Sequence, residues 1–284
     1  MKKLSIAIPA SVVSDTPHLR EKTSKIGLIG RAAAIFRVSE IIVYPNSPHE
    51  EQSDEMNLIG KLLAYIETPQ YLRKRLFKLE PQLQYAGILP PLRTPHHPLP
   101  RSSKDLKIGE YREGVVLSTT KEGALIDIGV EKPALVRKAQ LSVHKRVTVK
   151  IVNLRERLEA EPANRDDVSA YWGYKVTLEK RSFGKMLKDD DFGLTIGTSK
   201  YGVPFHEISD EIAKRWKHAN NTLVAFGAPT AGLKEIVARE GLSLSDLVDF
   251  VVNTMPFQGT ETVRTEEALF SSLAVLNAAL ATKY

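Results

Sequence analysis

The order of apolar runs along the chain limits the fold more than any other feature of the sequence. In residues 1–95 and again in residues 181–284, short β-prone runs alternate with longer segments in which apolar residues recur at helical spacing. Strands that alternate with helices are typical of an α/β domain with a parallel sheet. We therefore expect the two ends of the 284-residue chain to build one discontinuous α/β domain.

The helices of this domain can be placed approximately. Apolar positions predict a first helix over residues 18–38, which Gly27 and Gly30 weaken locally. A last helix is predicted over residues 265–283, with Thr265 as its N-cap. One apolar stripe faces the core, formed by Leu269, Leu273, Leu276 and Leu280.

The middle of the chain has a different pattern. Residues 87–103 are rich in proline and read as a boundary, and His96 and His97 lie in it. A solvated pair of histidines is a simpler interpretation than a metal site, which needs further ligands. Five short β-prone runs follow, and the last is residues 172–180, after a polar loop over residues 156–170. Residues 96–180 are therefore predicted to form an inserted, small all-β barrel of the OB-like class.

Charge is concentrated in this insertion. Residues 101–188 hold 19 Lys and Arg against 12 Asp and Glu, whereas residues 189–284 hold 8 against 13. A basic module beside an acidic one favours binding of a polyanion such as RNA, although a basic surface without a partner has the same composition. The candidate RNA-binding cations of the barrel are Arg112, Arg137, Lys138, Lys145 and Arg146.

Aromatic residues in the insertion have two interpretations. Tyr111, Tyr171, Trp172 and Tyr174 could stack on bases, as aromatics of OB barrels do. Trp172 and Tyr174 could equally fill the barrel or its seam, because one face of every strand must be buried.

Composition also limits where the chain acts. The chain has no cysteine, which excludes disulfides and thiolate metal sites and suits a reducing compartment. No apolar run is long enough to span a membrane, and the apolar start of the chain is broken by Pro9, so it reads as a strand rather than a signal peptide. We expect a cytoplasmic protein with neither a metal nor a membrane partner.

Two loops near the end of the chain are the candidate ligand site. The segments "FGAPTAGL" (226–233) and "NTMPFQG" (253–259) each lie between a strand and a helix, where α/β sheets bind ligands. Gly227, Gly232 and Gly259 allow close approach of the backbone. Neither loop is a Walker or G-x-G-x-x-G motif. A small-molecule pocket and two ordinary tight turns both remain possible from this pattern alone.

The same segments resemble a known superfamily. "LVAFGAPTAGL" followed by "DFVVNTMPFQGTETVRTEEALFSSLAVLN" resembles the two C-terminal motifs of the SPOUT RNA methyltransferases, and "GRAAAIFRVSEIIVY" is similar to their first motif. A barrel inserted between two SPOUT halves is similar to the archaeal and eukaryotic RNA uridine-N3 methyltransferase family. The resemblance implies a C-terminal trefoil knot, S-adenosyl-L-methionine as cofactor and a homodimer. Knots are essentially absent from protein chains under the general rules of topology, so the resemblance is the sole reason to expect one here.

Site residues follow from the resemblance by position. The cofactor pocket would use Thr198, Gly227, Gly232, Asn253, Met255, Gly259, Val263 and Arg264. Arg37 occupies the position of the catalytic arginine of the first motif. Arg31 stands where related families often have asparagine, and we assign it to RNA contact.

The chemistry expected of such a protein is modest, because the cofactor is already an activated methyl donor. No histidine or cysteine near the motifs offers an evident base. We expect Arg37 or Arg264 to stabilise charge that develops on the RNA base, with an ion pair to Glu261 or Glu267 as the structural alternative for Arg264. An RNA methyltransferase acting on ribosomal RNA is the preferred function. The alternatives are an RNA-binding module without activity and an enzyme with another substrate.

Overall fold

The computed structural model describes residues 2–47, 50–99 and 102–280. The chain divides into two compact units. The first comprises Met1–Ala64, Gln82–Pro90 and Tyr174–Tyr284. The second comprises Tyr65–Pro81 and Pro91–Gly173.

Strands and helices alternate in the terminal parts of the chain. The strands are β1 (Lys3–Pro9), β2 (Glu40–Tyr44), β3 (Tyr111–Thr119), β4 (Gly123–Asp127), β5 (Ala134–Arg137), β6 (Arg146–Asn153), β7 (Glu159–Ala163), β8 (Lys175–Leu178), β9 (Leu194–Pro204), β10 (Asn221–Ala225) and β11 (Phe250–Asn253). The α-helices are α1 (Leu19–Ile35), α2 (Ser53–Glu67), α3 (Gln70–Leu76), α4 (Phe183–Asp189), α5 (Phe205–His218), α6 (Leu233–Ala238) and α7 (Thr265–Leu280). The predicted residues 281–283 of the last helix lie outside the described residues.

The first unit contains one sheet of six strands in the order β11-β9-β10-β1-β2-β8, and every pair is parallel. The two central strands, β1 and β10, are buried on both faces, as parallel strands require; Ile6, Ile8, Leu223 and Val224 have no exposed surface. The prediction of an α/β fold with a parallel sheet is confirmed. A trefoil knot and an OB-like class for the second sheet stay predictions.

The assignment of the fifth barrel strand was wrong. Within residues 172–180, only Lys175–Leu178 is a strand, and it pairs in parallel with β2 at the edge of the first sheet. The second unit instead closes its barrel, in the order β3-β4-β5-β7-β6, with β7, which lies in the segment predicted as a polar loop. Pro162 is tolerated in β7 because that strand pairs fully only with β6 and touches β5 at a single register position.

Helices α1 and α7 pack together in the first unit, and their ends differ from the predictions. Lys25 of α1 is buried and forms ion pairs with Asp15 at 2.8 Å and with Glu266 of α7 at 3.4 Å. Thr265 is the first residue of α7 rather than its N-cap. The Glu267 carboxylate accepts a hydrogen bond from the Arg264 backbone N–H at 3.0 Å, and so satisfies one of the unpaired donors of the helix start. The four leucines of the predicted stripe are all buried.

Candidate functional site

Three chain segments meet at the carboxyl ends of β9, β10 and β11, which are neighbours in the sheet. One is an excursion inside β9, where residues 198–202 leave the ladder with β11 and the strand then rejoins it. The others are the loops after β10 and β11. Together they enclose a cavity of about 360 Å³. This volume lies within the range of ordinary small-molecule sites.

Six of the eight residues predicted to bind a cofactor line this cavity; they are Thr198, Gly227, Gly232, Asn253, Met255 and Val263. Gly259 and Arg264 are not among the lining residues. Arg264 is exposed and lies between Val263 and Thr265, which both line the wall. Among the described residues, neither Glu261 nor Glu267 forms an ion pair with the Arg264 guanidinium, so the structural alternative for this residue is not supported.

The loop after β10 is a tight backbone turn. The Ala228 N–H donates to the Ala231 carbonyl at 2.8 Å. A Cβ on Gly227 would lie 3.0 Å from the Gly232 Cα and 3.1 Å from the Ala231 oxygen, so a side chain at this position would force the backbone of the turn to shift. Tyr44 anchors the start of the loop by donating to the Phe226 carbonyl at 2.7 Å. Burial, and then the charge of Glu240, raises the pKa of the Tyr44 hydroxyl, so it remains a donor.

The loop after β11 is organised by the Asn253 side chain. Its Nδ2 donates to the Lys200 carbonyl at 2.9 Å, and its Oδ1 accepts from the Met255 N–H at 2.9 Å. The Asn253 side chain therefore joins the β9 excursion to the loop after β11. The Lys200 Nζ adds a bond to the Glu261 carbonyl at 3.3 Å.

A further bond joins the loop after β10 to the start of α7. The Thr265 hydroxyl donates to the Gly227 carbonyl at 3.1 Å. The chain that follows β11 thus returns to the loop after β10. All three segments are held by side-chain bonds to backbone groups, so the cavity wall is built before any ligand binds.

The β9 excursion was missed in the sequence, although it contributes Ser199, Lys200 and Tyr201 to the wall. The available signal was Gly202. A Cβ there would lie 2.6 Å from the Val252 carbonyl carbon and 2.7 Å from the Val251 oxygen, so backbone crosses backbone at this point. A glycine inside an apolar strand pattern often marks such a close approach.

The structure places Arg37 away from the cavity of its own chain. Arg37 follows α1, and the Ser39 N–H donates to the carbonyl of Leu4 near the start of β1. Arg37 therefore lies at the amino edge of the sheet, whereas the cavity lies at the carboxyl edge. Arg37 is not among the residues that line the cavity, and its catalytic role stays a prediction. The residue has a φ of 57° and ends α1 in a position that usually favours glycine.

Two of the predicted RNA-binding arginines are structural. Arg112 has no exposed surface and pairs with Glu110 at 2.8 Å. Arg146 forms ion pairs with Glu67 at 2.6 Å and with Glu113 at 2.5 Å. Because these guanidiniums form ion pairs with carboxylates inside the second unit, we do not propose an RNA contact for either residue.

The other predicted cations of the barrel lie at its surface. Arg137, Lys138 and Lys145 are exposed and flank the connection between β5 and β6. Arg137 is partly neutralised by Glu159 and Glu122. Arg31 lies in the first unit, on the same face of α1 as the exposed Leu28 and Ile35.

For Trp172 and Tyr174, the structure distinguishes between stacking on bases and burial. Trp172 is buried and its Nε1 donates to Glu113 at 2.6 Å. Tyr174 is buried and its hydroxyl donates to the Leu63 carbonyl at 3.2 Å. Trp172 is therefore buried in the second unit, whereas Tyr174 is buried in the first unit and not in the barrel; Tyr111 and Tyr171 stay partly exposed.

The two histidines of the predicted linker contact Glu67, the buried residue that also pairs with Arg146. His96 has no exposed surface, and the Nε2 atoms of His96 and His97 contact the Glu67 carbonyl at 2.9 and 2.7 Å. The interpretation as a solvated pair was therefore wrong. Burial alone would raise the pKa of Glu67, but Arg146, His96 and Arg165 outweigh it and hold that pKa at about 2. Burial, and then His96, lowers the pKa of His97 to about 4.

No group of three or more residues suited to bind a metal ion occurs in the described part of the chain. Within the described ranges, no helix combines the length and apolar character that crossing a bilayer requires.

Comparison with known proteins identifies the family. Residues 3–276 match the family model described as "Putative RNA methyltransferase". The chain belongs to this RNA methyltransferase family. The family match covers both units and includes every residue that lines the cavity.

Named relatives agree with this assignment. The chain is 35% identical to the 28S rRNA (uridine-N(3))-methyltransferase of Drosophila melanogaster, over 96% of this chain and 61% of the fly protein. It is 35% identical to the mouse protein of the same name, over 98% of this chain and 76% of the relative. An uncharacterised protein of Haloarcula marismortui is 34% identical, over 96% of this chain and 98% of its own length. The chain therefore spans about three fifths of the fly relative.

Proposed function

We propose that this chain is an S-adenosyl-L-methionine-dependent methyltransferase that acts on ribosomal RNA at uridine N3. The observation that carries the proposal is the backbone-built cavity at the ends of β9, β10 and β11, in a chain of an RNA methyltransferase family. The substrate and the methylated atom come from the names of the fly and mouse relatives.

The residues present fit a methyl donor of this kind. The turn at Gly227 packs backbone closely against backbone, and its residues from Phe226 to Gly232 line the cavity. Glu235 is the one carboxylate among the described lining residues, and its charge favours a cationic ligand. The loop backbone at Gly227 and Gly232, with Asn253 and Met255, would hold the donor. When bound, S-adenosyl-L-methionine supplies an activated methyl group.

The chain's own task is to orient the base and to stabilise it as N3 loses its proton. Among the described lining residues there is no histidine, and Lys200 is the one cation. Arg264 is exposed and directly precedes Thr265, which lines the cavity. We assign it the stabilisation of negative charge on the base or orientation of a phosphate, because fixed positive charge lowers the barrier to forming an anion.

A homodimer is part of the proposal. Leu28 and Ile35 lie on one face of α1 with 44% and 50% of their surface exposed, and Arg31 shares that face. The neighbouring α7 is apolar almost all round, and such a helix is normally buried. A second copy packed on α1 would cover both. Leu28→Glu is expected to convert the dimer to a monomer in sedimentation analysis, whereas Leu79→Glu, at an exposed leucine of the second unit, should not.

The dimer also determines what Arg37 can do. A catalytic contribution requires that the second copy brings Arg37 to the cavity. Arg37→Ala and Arg37→Gly would then both lower turnover without changing donor affinity. The glycine variant suits the left-handed backbone and should be the more stable of the two. Turnover equal to wild type in both variants would remove Arg37 from the mechanism.

Finer features of the fold belong to the same proposal. A five-stranded closed barrel with an exposed basic connection supports an OB-like RNA-binding insertion. The bond from Thr265 to Gly227 supports a trefoil knot, which requires the chain after β11 to return to the loop after β10. A crystal structure with the demethylated donor tests both. A cytoplasmic location completes the proposal and is tested by a fluorescent fusion in the native cell.

The central experiment combines titration and product analysis. Isothermal titration should show binding of S-adenosyl-L-methionine, and nucleoside mass spectrometry of treated ribosomal RNA should show 3-methyluridine. Arg264→Ala should lower the methylation rate while the donor still binds; Arg239→Ala, outside the cavity, is the control. Donor binding without methylated RNA would exclude the proposed substrate. RNA binding without donor binding would indicate a module without methyltransferase activity.

A further inference from the structure

Two aromatic side chains at the rim of the cavity are strongly exposed. Phe257 has 99% of its surface in solvent and Tyr201 has 78%. Phe257 also has a φ of 66°, in the left-handed region that a bulky side chain rarely adopts. An exposed phenylalanine held in a strained backbone gains nothing for the stability of the isolated chain, and strain of this kind clusters at functional sites.

Both aromatics stand beside the proposed methyl-donor site. Tyr201 itself lines the cavity, and Met255 and Gln258, which flank Phe257 in sequence, line it as well. The bond from Asn253 to Lys200 joins the two loops that carry these aromatics. The Lys200 ammonium lies 5.1 Å from the centre of the Tyr201 ring. The rim therefore combines two apolar rings with one cation.

We propose that Tyr201 and Phe257 form a stacking platform for an unpaired RNA base at the mouth of the cavity. This inference rests on the proposed function. The N3 atom of uridine is engaged in Watson–Crick pairing, so a base that is methylated there must leave the helix. Unpaired bases are commonly held on aromatic faces, and a neighbouring cation suits the adjoining phosphate. In this assignment Tyr201 and Phe257 are positioning residues for the substrate, and Lys200 is a phosphate contact.

The test measures stacking separately from charge. The probes are a ten-nucleotide oligouridylate and an abasic oligonucleotide of equal length and charge, each titrated into the full-length protein saturated with demethylated donor. The wild-type protein should prefer the oligouridylate. Phe257→Ala and Tyr201→Ala should each weaken oligouridylate binding about tenfold and leave abasic binding unchanged. Phe257→Tyr should restore the affinity, whereas Phe257→Leu should not. Leu79→Ala, at an equally exposed apolar residue of the second unit, is the control.

The outcomes separate this inference from the proposed function. Unchanged oligouridylate affinity in both alanine variants, or an equal loss with the abasic probe, would overturn the platform. Loss of the dimer in Phe257→Ala, seen by sedimentation, would assign the rim to the second copy instead. A normal base preference in a protein that methylates no RNA would sustain the platform and refute the enzyme. Methylation that both alanine variants leave unaffected would refute the platform and sustain the enzyme.

Discussion

Replacing Gly227 by alanine should damage the proposed donor site. The added Cβ would meet two backbone atoms at 3.0 and 3.1 Å, well inside ordinary contact distance. The turn cannot widen without straining the hydrogen bond between Ala228 and Ala231 and the bond from Thr265 to Gly227. Overpacking of this kind costs about 1–3 kcal/mol. If the distorted loop must be restored on binding, donor affinity falls about 5- to 150-fold.

Gly259 provides a matched control, because the sequence assigns both glycines to the cofactor. A Cβ on Gly259 would meet no atom within 4 Å, and its φ is not in the left-handed region. Gly259→Ala should therefore bind the donor within about twofold of wild type.

Isothermal titration with S-adenosyl-L-methionine and with its demethylated product measures the effect, and circular dichroism melting reports whether each variant is folded. The reasoning is refuted if folded Gly227→Ala binds as tightly as wild type. Equal losses in the two variants would also refute it, because the steric argument separates them.

Three further predictions concern stability and RNA binding. The pKa of His97 is about 4 in the folded chain and 6.5 in the unfolded chain, so the unfolded state takes up the proton first as the pH falls. The free energy of unfolding should therefore be unaffected above pH 6.5 and should fall by up to about 3 kcal/mol towards pH 4. Urea unfolding should show this slope weakened in His97→Gln. Arg146→Met removes the cation that two buried carboxylates share, of which Glu67 keeps Arg165 and Glu113 keeps no ion pair among the described residues, and should destabilise the protein by about 3–5 kcal/mol in urea unfolding, so a loss below about 1 kcal/mol contradicts the structural assignment. Lys138→Ala and Lys145→Ala should leave stability within about 0.5 kcal/mol but reduce the salt dependence of RNA binding by about one phosphate contact each in titrations at several salt concentrations; unchanged slopes would exclude this face.

Local patterns were sufficient to locate the parallel sheet and the loops of the site. The apolar runs of β1 and β10 are buried on both faces, so the burial that defines a central parallel strand is visible in the sequence itself. The loops at Gly227 and Asn253 were found because glycine and proline interrupt the chain between a strand and a helix. Which of the predicted residues bind a donor stays a prediction.

Features that depend on distant partners were not predictable in this way. His96 is buried because Glu67, 29 residues away in sequence, supplies the carbonyl it contacts. Arg112 points inward from a strand whose composition suggests an exposed cationic face. The strand β7 contains proline and glutamate and forms only because β6 supplies its ladder. In each case a long-range contact overrides the local preference.

The absent side chain at Gly202 has an evolutionary consequence. Only a hydrogen atom fits between β9 and the backbone of Val251 and Val252, so one methyl group would prevent the strand from leaving its neighbour and coming back. Any relative with the same β9 excursion must also have glycine at this position. A homologue with alanine at the aligned position must pair its counterparts of β9 and β11 differently, and its cavity would lose the wall that Ser199 and Tyr201 provide here.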